Sequence, residues 1–313
     1  MHELRTAVIG AGYLGRFHAQ KYAALPSSQL VGIVDVSPDT RARVAAEVGT
    51  EGLADYRALL GRVDAVSIAT PTPQHFRIAS DFLESGAHVL VEKPITASVE
   101  EARRLIEIAA RHGKILQVGH LERFNPGILA LDRVLGVPRF IESHRLAPFK
   151  QRGTDVNVVL DLMIHDIDII QNIVHAPIAS VDAIGTSVFS GGLDIANARI
   201  RFANGCVANT TASRVSLKTE RKLRIFQDDA YLSLDLQQKI LTVVRKGDAP
   251  PEGELPQVRI DEQSFEQGDA LKTEIEAFLE CVKQGKSPLV SGEDGLRALE
   301  TAIRITEQVA GSE

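Results

Sequence analysis

The sequence is poor in the residues that mark several functional classes. It contains no tryptophan, and aromatic residues make up only 5% of its 313 positions. Its 41 Asp and Glu residues outnumber its 35 Lys and Arg residues, which gives a formal net charge of -6. Proteins dedicated to nucleic acids normally present a basic surface with aromatic rings for stacking. The composition therefore argues against a nucleic-acid partner.

Cysteine and long hydrophobic runs are also scarce. Cys206 and Cys281 are too few for a disulfide framework or a zinc site, which favours a reducing compartment. Apolar periodicity begins at Leu4 and leaves no room for a signal peptide, and no apolar run approaches the roughly 18 residues of a membrane span. We expect a soluble, cytoplasmic protein with no membrane partner.

The length predicts about two domains at ~150 residues each. In the first 120 residues, short runs rich in Val and Ile alternate with amphipathic stretches. Strands are predicted over Leu4–Gly10, Leu30–Val36, Ala65–Ala69, His88–Glu92 and Ile115–Gly119. Alternation of strand and helix with short loops indicates a parallel sheet covered on both faces.

Capping signals support two of the intervening helices. Ser37-Pro38 is a typical N-terminus, and Gly49 is a typical left-handed C-terminus. Ser98 and Glu101 have the spacing of a capping box.

The pattern changes after residue 120. Asn125-Pro126 opens a helix, Val156 to Val174 reads as one long helix, and Ile178 to Ile240 reads as successive strands separated by turns. Asp248 to Pro256 reads as a loop, and two helices are predicted over Ala270–Gln284 and Asp294–Ala310. Consecutive strands joined by tight turns favour a mainly antiparallel sheet.

A dinucleotide-binding signature lies at the first predicted strand. The strand runs into Gly10-Ala11-Gly12-Tyr13-Leu14-Gly15, and Asp35 ends the next strand 20 residues beyond the last glycine. The glycines allow a tight turn and close approach of the backbone to a pyrophosphate, and the acid can accept both ribose hydroxyls. Asp35 also repels a 2′-phosphate, which favours NAD over NADP; Arg41 and Arg43 are assigned to a solvated helix face.

Two further segments follow predicted strands and should lie near the nicotinamide. They are Ala69-Thr70-Pro71-Thr72-Pro73-Gln74-His75 and Val91-Glu92-Lys93-Pro94. Ligands bind outside the carboxyl ends of the strands in such sheets. Lys93 is a candidate cation in the site, with a surface lysine in a turn as the alternative.

A polar stripe marks the predicted helix over 156–174. Asp161, His165, Asp168 and Asn172 fall within a sector of roughly 60° on an otherwise apolar helix, and Asp166 lies off it. A polar site facing the stripe is one interpretation, and a satisfied core network is the other. A metal site is disfavoured because no Cys-His cluster or HExxH accompanies the stripe, and we expect no metal.

Taken together, these motifs resemble the Gfo/Idh/MocA family of NAD(P)-dependent oxidoreductases along nearly the whole chain. The resemblance rests on the glycine turn with Asp35, residues 69–75, Glu92-Lys93-Pro94, and Asp161 with His165 and Asp168. It implies an α/β protein with an N-terminal Rossmann domain over residues 1–120. It also implies an α/β domain with a large, mainly antiparallel open sheet over residues 121–313, which binds substrate and forms homodimers or homotetramers. A cis Lys93-Pro94 bond is implied as well.

The resemblance also implies roles for individual residues. His165 is the general base that takes the hydroxyl proton, Asp161 orients or charges it, and Lys93 stabilises negative charge on the substrate oxygen. Thr70, Pro71, His75 and Glu92 are expected to join the glycine turn in binding NAD.

A more specific resemblance covers Gln117–Pro126 and Asp161–Asp168. These segments are similar to the subgroup that oxidises the 3-hydroxyl of UDP-N-acetylglucosamine, whose 3-keto product an aminotransferase converts further. Arg123, Asn125 and Asp168 are then expected to face the sugar, against a local alternative in which Asn125 caps a helix and Arg123 pairs with an acid. Arg152, with Lys150, is a candidate for the diphosphate, against a solvated loop.

Two other functions stay open on the sequence alone. One is a free sugar or polyol dehydrogenase of inositol type, which has no use for a diphosphate clamp. The other is a non-catalytic, NAD-dependent sensor or regulatory binding protein; the joint presence of Lys93, Asp161 and His165 argues against it.

Overall fold

The computed structural model describes residues 3–149, 156–247, 257–266 and 268–311. The chain forms two compact units, Met1–Leu121 with Asp269–Leu299, and Glu122–Gly268 with Glu300–Glu313. Residues 269–299, assigned by the sequence analysis to the second domain, thus count with the first unit. The reason is packing, because Ile275, Phe278 and Leu279 are buried in the core cluster of that unit.

The secondary structure follows the predicted order with additions. The strands are β1 Leu4–Ile9, β2 Ser28–Val34, β3 Gly52–Leu53, β4 Ala65–Ile68, β5 His88–Glu92, β6 Leu116–Gly119, β7 Pro138–Leu146, β8 Ile178–Thr186, β9 Ile195–Phe202, β10 Val207–Ser213, β11 Glu220–Gln227, β12 Ala230–Asp235, β13 Ile240–Lys246 and β14 Val258–Ser264. The helices are α1 Tyr13–Ala24, α2 Pro38–Val48, α3 His75–Glu84, α4 Val99–Arg111, α5 Pro126–Leu131, α6 Ile164–Val174, α7 Ala270–Gln284 and α8 Gly292–Ala310.

In the described part of the first unit, six parallel strands form one sheet in the order β3-β2-β1-β4-β5-β6. The chain starts in the middle of this sheet and winds outward in both directions, so the carboxyl ends of β1 and β4 lie side by side. The five predicted strands are present, and the predicted Rossmann fold is confirmed. β3 went unpredicted because two residues carry no periodicity.

The predicted helix caps are present in this unit. Ser37 accepts a hydrogen bond from the Thr40 amide at 3.3 Å, and Gly49 adopts a left-handed conformation with φ of 68°. Ser98 accepts from the Glu101 amide at 3.2 Å. Glu101, in turn, accepts from the amide of Ala97 rather than from that of Ser98, so the capping box is shifted by one residue on its return side.

In the second unit, the described strands form an eight-stranded sheet in the order β14-β13-β12-β11-β7-β10-β9-β8. Its pairs are antiparallel except for β7 with β10, which confirms the mainly antiparallel prediction. β7 and β14 went unpredicted, and β13 begins only where the predicted strand region ends. β7 places the polar Ser143 and Arg145 on its buried face, and every residue of β14 is exposed, so neither shows a strong apolar signal.

The predicted long helix over 156–174 is wrong in its first part. Residues Val159–Met163 form a π-helical turn, which leads into α6. The Ile164 amide bonds the Val159 carbonyl five residues earlier, which widens the turn just before the candidate catalytic histidine. Such turns are frequent at functional sites, and apolar periodicity does not announce them.

Several findings bear on the compositional predictions. Cys206 and Cys281 are free thiols, the first buried. Among the residues that the structure describes, no helix combines the length and apolarity that crossing a bilayer demands. The predicted loop over Asp248–Pro256 lies outside the described residues.

Candidate active site

A cavity of about 770 Å³ opens at the carboxyl ends of β1, β2 and β4 in the first unit. Its lining includes the glycine turn, the end of β2, the segment after β4, and a cluster of side chains beyond them. The lining residues are Ile9, Gly10, Gly12, Val34, Asp35, Val36, Ala54, Asp55, Tyr56, Arg57, Ala69, Thr70, Pro71, Gln74, Arg77 and Ile78. This is the position predicted for a dinucleotide.

Two glycines of the turn are required by close contacts. Gly10 has φ of 89°, and a Cβ there would lie 2.7 Å from the Ala69 carbonyl oxygen. A Cβ on Gly15 would lie 1.7 Å from the Gly10 carbonyl oxygen, where α1 begins against β1. At Gly12 nothing lies within 4 Å of the Cβ position, so the space above this cavity-lining glycine is open to a ligand.

Asp35 is held in a fixed position on the cavity wall. Its Oδ2 accepts from the Ala11 amide and its Oδ1 from the Ser37 amide, both at 2.8 Å. Arg41, assigned to a solvated face by the sequence analysis, donates to the Asp35 backbone carbonyl at 2.8 Å. The carboxylate itself thus faces backbone amides and the cavity, where a negative charge disfavours the 2′-phosphate of NADP.

The cavity fits NAD by its own features. Gly12 leaves open space for phosphates, Asp35 offers a carboxylate for ribose hydroxyls, and Thr70 lines the wall with a buried hydroxyl. Within the described ranges, that hydroxyl has no hydrogen-bond partner. A buried polar atom without a partner is costly in a folded protein, and a bound ligand can supply the partner.

The sequence analysis missed two arginines at the cavity. The Arg57 and Arg77 guanidinium carbons lie 5.0 and 5.9 Å from the centre of the Tyr56 ring, within cation–π range. All three line the cavity. They belong to a short 3₁₀ turn and to α3, and no motif marks them in the sequence.

Lys93 follows β5, and its bond to Pro94 is cis, as the resemblance implies. The side chain of Lys93 is half-buried. Glu92, immediately before it, is the partner of a buried histidine, His18, whose Nε2 lies 3.0 Å from Glu92 Oε1. No sequence signal marked His18, because a histidine on an amphipathic helix can equally well face solvent.

His75, expected to contact NAD, takes a different position. Its side chain is 1% exposed and is not among the residues that line the cavity. Its ring nitrogens lie 2.9 Å from the Pro94 carbonyl and 2.8 Å from the Thr70 carbonyl. Burial lowers the pKa of His75, and its ring lies between the segments that follow β4 and β5. Tyr13, Leu14, Gly15 and Glu92 are likewise outside the cavity lining.

In the second unit, the polar stripe lies on the π-helical turn and on α6. Asp161 is in the turn and His165 is in the first turn of α6, both half-buried, whereas Asp168 is 3% exposed. The Asn157 side chain accepts from the Leu160 amide at 3.0 Å and so fixes the start of this segment. Because part of the stripe is π-helical, the angle between Asp161 and His165 differs from the value assumed for a regular helix.

The structure favours the local alternatives for Arg123 and Asn125. Arg123 is 4% exposed, with its Nη1 3.3 Å from Asp168 Oδ1. The Asn125 side chain accepts from the Gly127 amide and so caps α5, and it donates to the Leu236 carbonyl at 3.0 Å. Arg152 and Lys150 lie outside the described residues.

Asp166, which the sequence analysis placed off the stripe, belongs to a buried ion-pair network. Arg145 on β7 contacts both of its oxygens, at 2.8 and 3.1 Å, and also donates to Glu122 at 2.9 Å. Burial raises the pKa of Asp166 against the pull of Arg145. Glu122 is half-buried, and the charges of Arg145 and Arg221 outweigh the effect of burial and lower its pKa. The network anchors α6 to β7 beside His165.

The predicted residues thus form two groups. Gly10, Gly12, Asp35, Thr70 and Pro71 gather around one cavity in the first unit, and Asp161, His165 and Asp168 share one helical segment in the second. Among the residues that the structure describes, no three or more His, Cys, Asp or Glu side chains are grouped so as to hold a metal ion.

Comparison with family models covers most of the chain. The Gfo/Idh/MocA model described as an oxidoreductase family with an NAD-binding Rossmann fold matches residues 4–120. The companion model of the C-terminal α/β domain of that oxidoreductase family matches residues 132–313.

The chain is also similar to individual proteins. The UDP-N-acetylglucosamine 3-dehydrogenase of Acidithiobacillus ferrooxidans is 41% identical over 306 residues, or 97% of each chain. A solved structure of that enzyme covers 99% of each chain with a TM-score of 0.94 and 41% identity. The scyllo-inositol 2-dehydrogenase (NAD(+)) of Bacillus subtilis is 29% identical over 330 residues, which cover 97% of this chain and 94% of the relative. A scyllo-inositol dehydrogenase of Lactobacillus casei, solved with NAD(H) and scyllo-inositol, shares the fold with a TM-score of 0.82 at 22% identity, over 100% of this chain and 98% of its own.

Proposed function

The chain belongs to the Gfo/Idh/MocA family of oxidoreductases, and on this premise we propose that it oxidises the 3-hydroxyl of UDP-N-acetylglucosamine to the 3-keto sugar with NAD. The carrying observation is the similarity to a UDP-N-acetylglucosamine 3-dehydrogenase, which spans 97% of both chains at 41% identity. The inositol dehydrogenase reaches only 29% over a similar span.

In this proposal, His165 is the general base. An imidazole with an ordinary pKa of about 6.5 is available as a proton acceptor at neutral pH. Its half-buried position at the start of α6 leaves part of the ring accessible to a substrate hydroxyl. Asp161, in the preceding π-helical turn, orients the ring and favours its protonated form as the hydroxyl proton arrives.

Lys93 supplies the fixed positive charge. As the hydroxyl loses its proton, negative charge grows on the oxygen, and an ammonium group placed there stabilises the transition state more than the ground state. NAD, when bound, would supply the hydride acceptor. Gly10, Gly12, Asp35, Thr70 and Pro71 would hold it in the cavity that they line.

The anionic diphosphate needs basic contacts, because the chain as a whole carries a net charge of -6. We assign this role to Arg152 with Lys150, in the segment that precedes the π-helical turn. Arg123 acts through Asp168, which it pairs with, and Asn125 supports α5. A cytoplasmic homodimer or homotetramer completes the proposal, together with an aminotransferase that consumes the 3-ketone.

The test is the formation of NADH by the purified protein with NAD and UDP-N-acetylglucosamine, with myo-inositol and scyllo-inositol as comparison substrates. Because the equilibrium of alcohol oxidation favours the alcohol, a 3-amino-sugar-forming aminotransferase with its amino donor removes the ketone. Substrate deuterated at C3 should transfer the label to NADH, which identifies the position oxidised. Label-free NADH would exclude C3, and turnover of inositols alone would establish the polyol alternative. An absence of turnover with every substrate would favour the sensor.

A further inference from the structure

Lys93 lies between two residues that are each held by a buried histidine. His18 on α1 binds the side chain of Glu92, and His75 at the start of α3 binds the backbone carbonyl of Pro94. Neither histidine lines the dinucleotide cavity. Each of two separate helices therefore contributes one buried imidazole that contacts the segment Glu92-Lys93-Pro94.

The contacts of His18 continue into a buried chain of hydroxyls. Its Nδ1 lies 3.0 Å from Ser67 Oγ, which lies 2.8 Å from the Tyr22 hydroxyl. With Nε2–H pointing at the Glu92 carboxylate, each proton has an acceptor. Tyr22 donates to Ser67, Ser67 donates to Nδ1, and Nε2–H donates to Glu92. This arrangement fixes both the orientation of the ring and its tautomer.

A glycine on the neighbouring strand leaves room for the Glu92 carboxylate. Glu92 pairs with Gly119 on β6, and a Cβ on Gly119 would lie 3.0 Å from the Glu92 carboxyl carbon and from Oε2. A side chain at position 119 would therefore displace the carboxylate. Burial opposes ionisation of Glu92, but the hydrogen bond from His18 and the charge of the nearby Lys93 outweigh it and lower its pKa.

Glu274 on α7 interacts with the charge of Glu92 but has the opposite protonation state. Burial and the charge of Glu92 raise the pKa of Glu274 well above its ordinary value, so this carboxyl is protonated. The negative charge behind Lys93 therefore resides on Glu92, the carboxyl that His18 holds. Burying polar groups is costly, which indicates that the arrangement serves the segment beside it.

We propose that His18 and His75 are positioning residues for Lys93. By holding Glu92 on one side and Pro94 on the other, they fix the ammonium ion at the position where the reaction needs positive charge. This inference rests on the role of Lys93 in the proposed function.

The two histidines use opposite ring nitrogens, which allows a reciprocal test. The amide nitrogen of Gln reaches about as far as Nε2 of His, and that of Asn about as far as Nδ1. His18→Gln should therefore keep the bond to Glu92, whereas His18→Asn loses it. His75→Asn should keep the bond to Pro94, whereas His75→Gln loses it. A residue that merely fills space would not reverse its preference in this way.

The expected result is a split between kcat and KM. The two mismatched variants, His18→Asn and His75→Gln, should lower kcat between about 10- and 100-fold, since small misplacements of catalytic groups have effects of this size. The KM for NAD should stay close to that of the unaltered protein, because neither histidine lines the cavity. The matched amides should recover most of the lost kcat.

A second readout needs no turnover. Acetylation of Lys93 in the protein without substrate, followed by peptide mass spectrometry, reports how firmly the segment is held. The mismatched variants should be labelled faster than the unaltered protein, and the matched variants at nearly its rate. Thr210→Val is the control, because it removes one buried hydrogen bond, from Ser143 on β7, that has no part in this arrangement. It should lower the melting temperature while leaving kcat and labelling unchanged.

The outcomes separate this proposal from the proposed function. If UDP-N-acetylglucosamine is not oxidised, the proposed substrate fails, and labelling still tests the positioning. If Lys93→Met leaves kcat intact, Lys93 has no catalytic role and the inference fails with it. Equal losses of kcat in the Asn and Gln variants at both positions would show a purely structural role. So would a loss of kcat in Thr210→Val that matches its fall in melting temperature.

Discussion

Both units bury charge directly beside a proposed catalytic residue, but they compensate it differently. In the first unit, the Glu92 carboxylate accepts a hydrogen bond from His18, and its charge acts on the adjacent Lys93. In the second, Asp166 next to His165 is paired with Arg145, which also contacts Glu122. The first arrangement leaves a net charge near its catalytic residue, whereas the second cancels its charges locally. Buried charge in the first unit therefore acts electrostatically on Lys93, whereas in the second unit it fixes α6 against β7.

Loss of the general base should have the largest effect. His165→Asn keeps a polar side chain on α6 but cannot take a proton, and removing such a base lowers rates by about 10²- to 10⁴-fold. Initial rates of NADH formation measure this. The Asp166 network should be unaffected, so the melting temperature should stay near that of the unaltered protein. Retained turnover would contradict the assignment of His165.

Breaking the ion-pair network around Arg145 should lower the free energy of unfolding rather than the rate of the reaction. Arg145→Met leaves Asp166 and Glu122 without their shared partner, and removing one member of a buried ion pair costs about 3–5 kcal/mol. Denaturant unfolding measures the loss. Combining Arg145→Met with Asp166→Leu removes one stranded charge and should recover part of it. A loss below that of an exposed pair would show that the network does not anchor α6.

In the first unit, the buried Glu274 should make stability depend on pH. Burial raises the folded-state pKa of Glu274 above that in the unfolded chain, so the folded protein keeps a proton that the unfolded chain releases. Glu274 therefore contributes its full amount to the free energy of unfolding below the ordinary carboxyl pKa. As the pH rises from there to the folded-state pKa, this contribution declines by about 1.4 kcal/mol per pH unit.

Glu274→Gln removes this titration while keeping the shape of the neutral carboxyl. Unfolding free energies from pH 5 to pH 8 should decline less steeply in this variant than in the unaltered protein. Parallel curves would mean that Glu274 is not the group responsible.

The exposed Arg221, at the edge of the Arg145 network, should contribute least to the free energy of unfolding. Arg221 reaches Glu122 at 3.2 Å, but its side chain is 49% exposed. Exposed pairs typically contribute about 0–1 kcal/mol and are screened by salt. Arg221→Gln should therefore change the unfolding free energy by less than about 1 kcal/mol, and the small change should vanish at high salt. A loss comparable with that of Arg145→Met would make the exposed rim part of the anchor.

The sequence predicted the parts of the site that contiguous residues build. The glycine turn, Asp35 and the segments after β4 and β5 were identified because a strand followed by a tight turn leaves a local pattern. The mainly antiparallel sheet followed from strands joined by turns. The π-helical turn at Val159–Met163 was not predicted, because the same apolar residues suit a regular helix.

Residues that act through distant partners could not be identified in this way. His18 meets Glu92 across 74 positions, and Arg145 meets Asp166 across 21. An amphipathic helix carries its histidine in the same pattern whether a carboxylate or water faces it. His75 was predicted in the loop after β4, but only the packed structure shows that its ring is buried against the Pro94 carbonyl.

By itself, the sequence determined the family, the dinucleotide turn, the acid that favours NAD, and the spacing of Asp161, His165 and Asp168. These depend on backbone geometry over a few residues, which local residue types dictate. Tertiary structure alone decided that Asp166 is paired, that Glu274 joins the first unit, and that two histidines hold the residues flanking Lys93. The physical reason is that burial and hydrogen-bond partners depend on surfaces brought together by folding, and no local pattern encodes the partner.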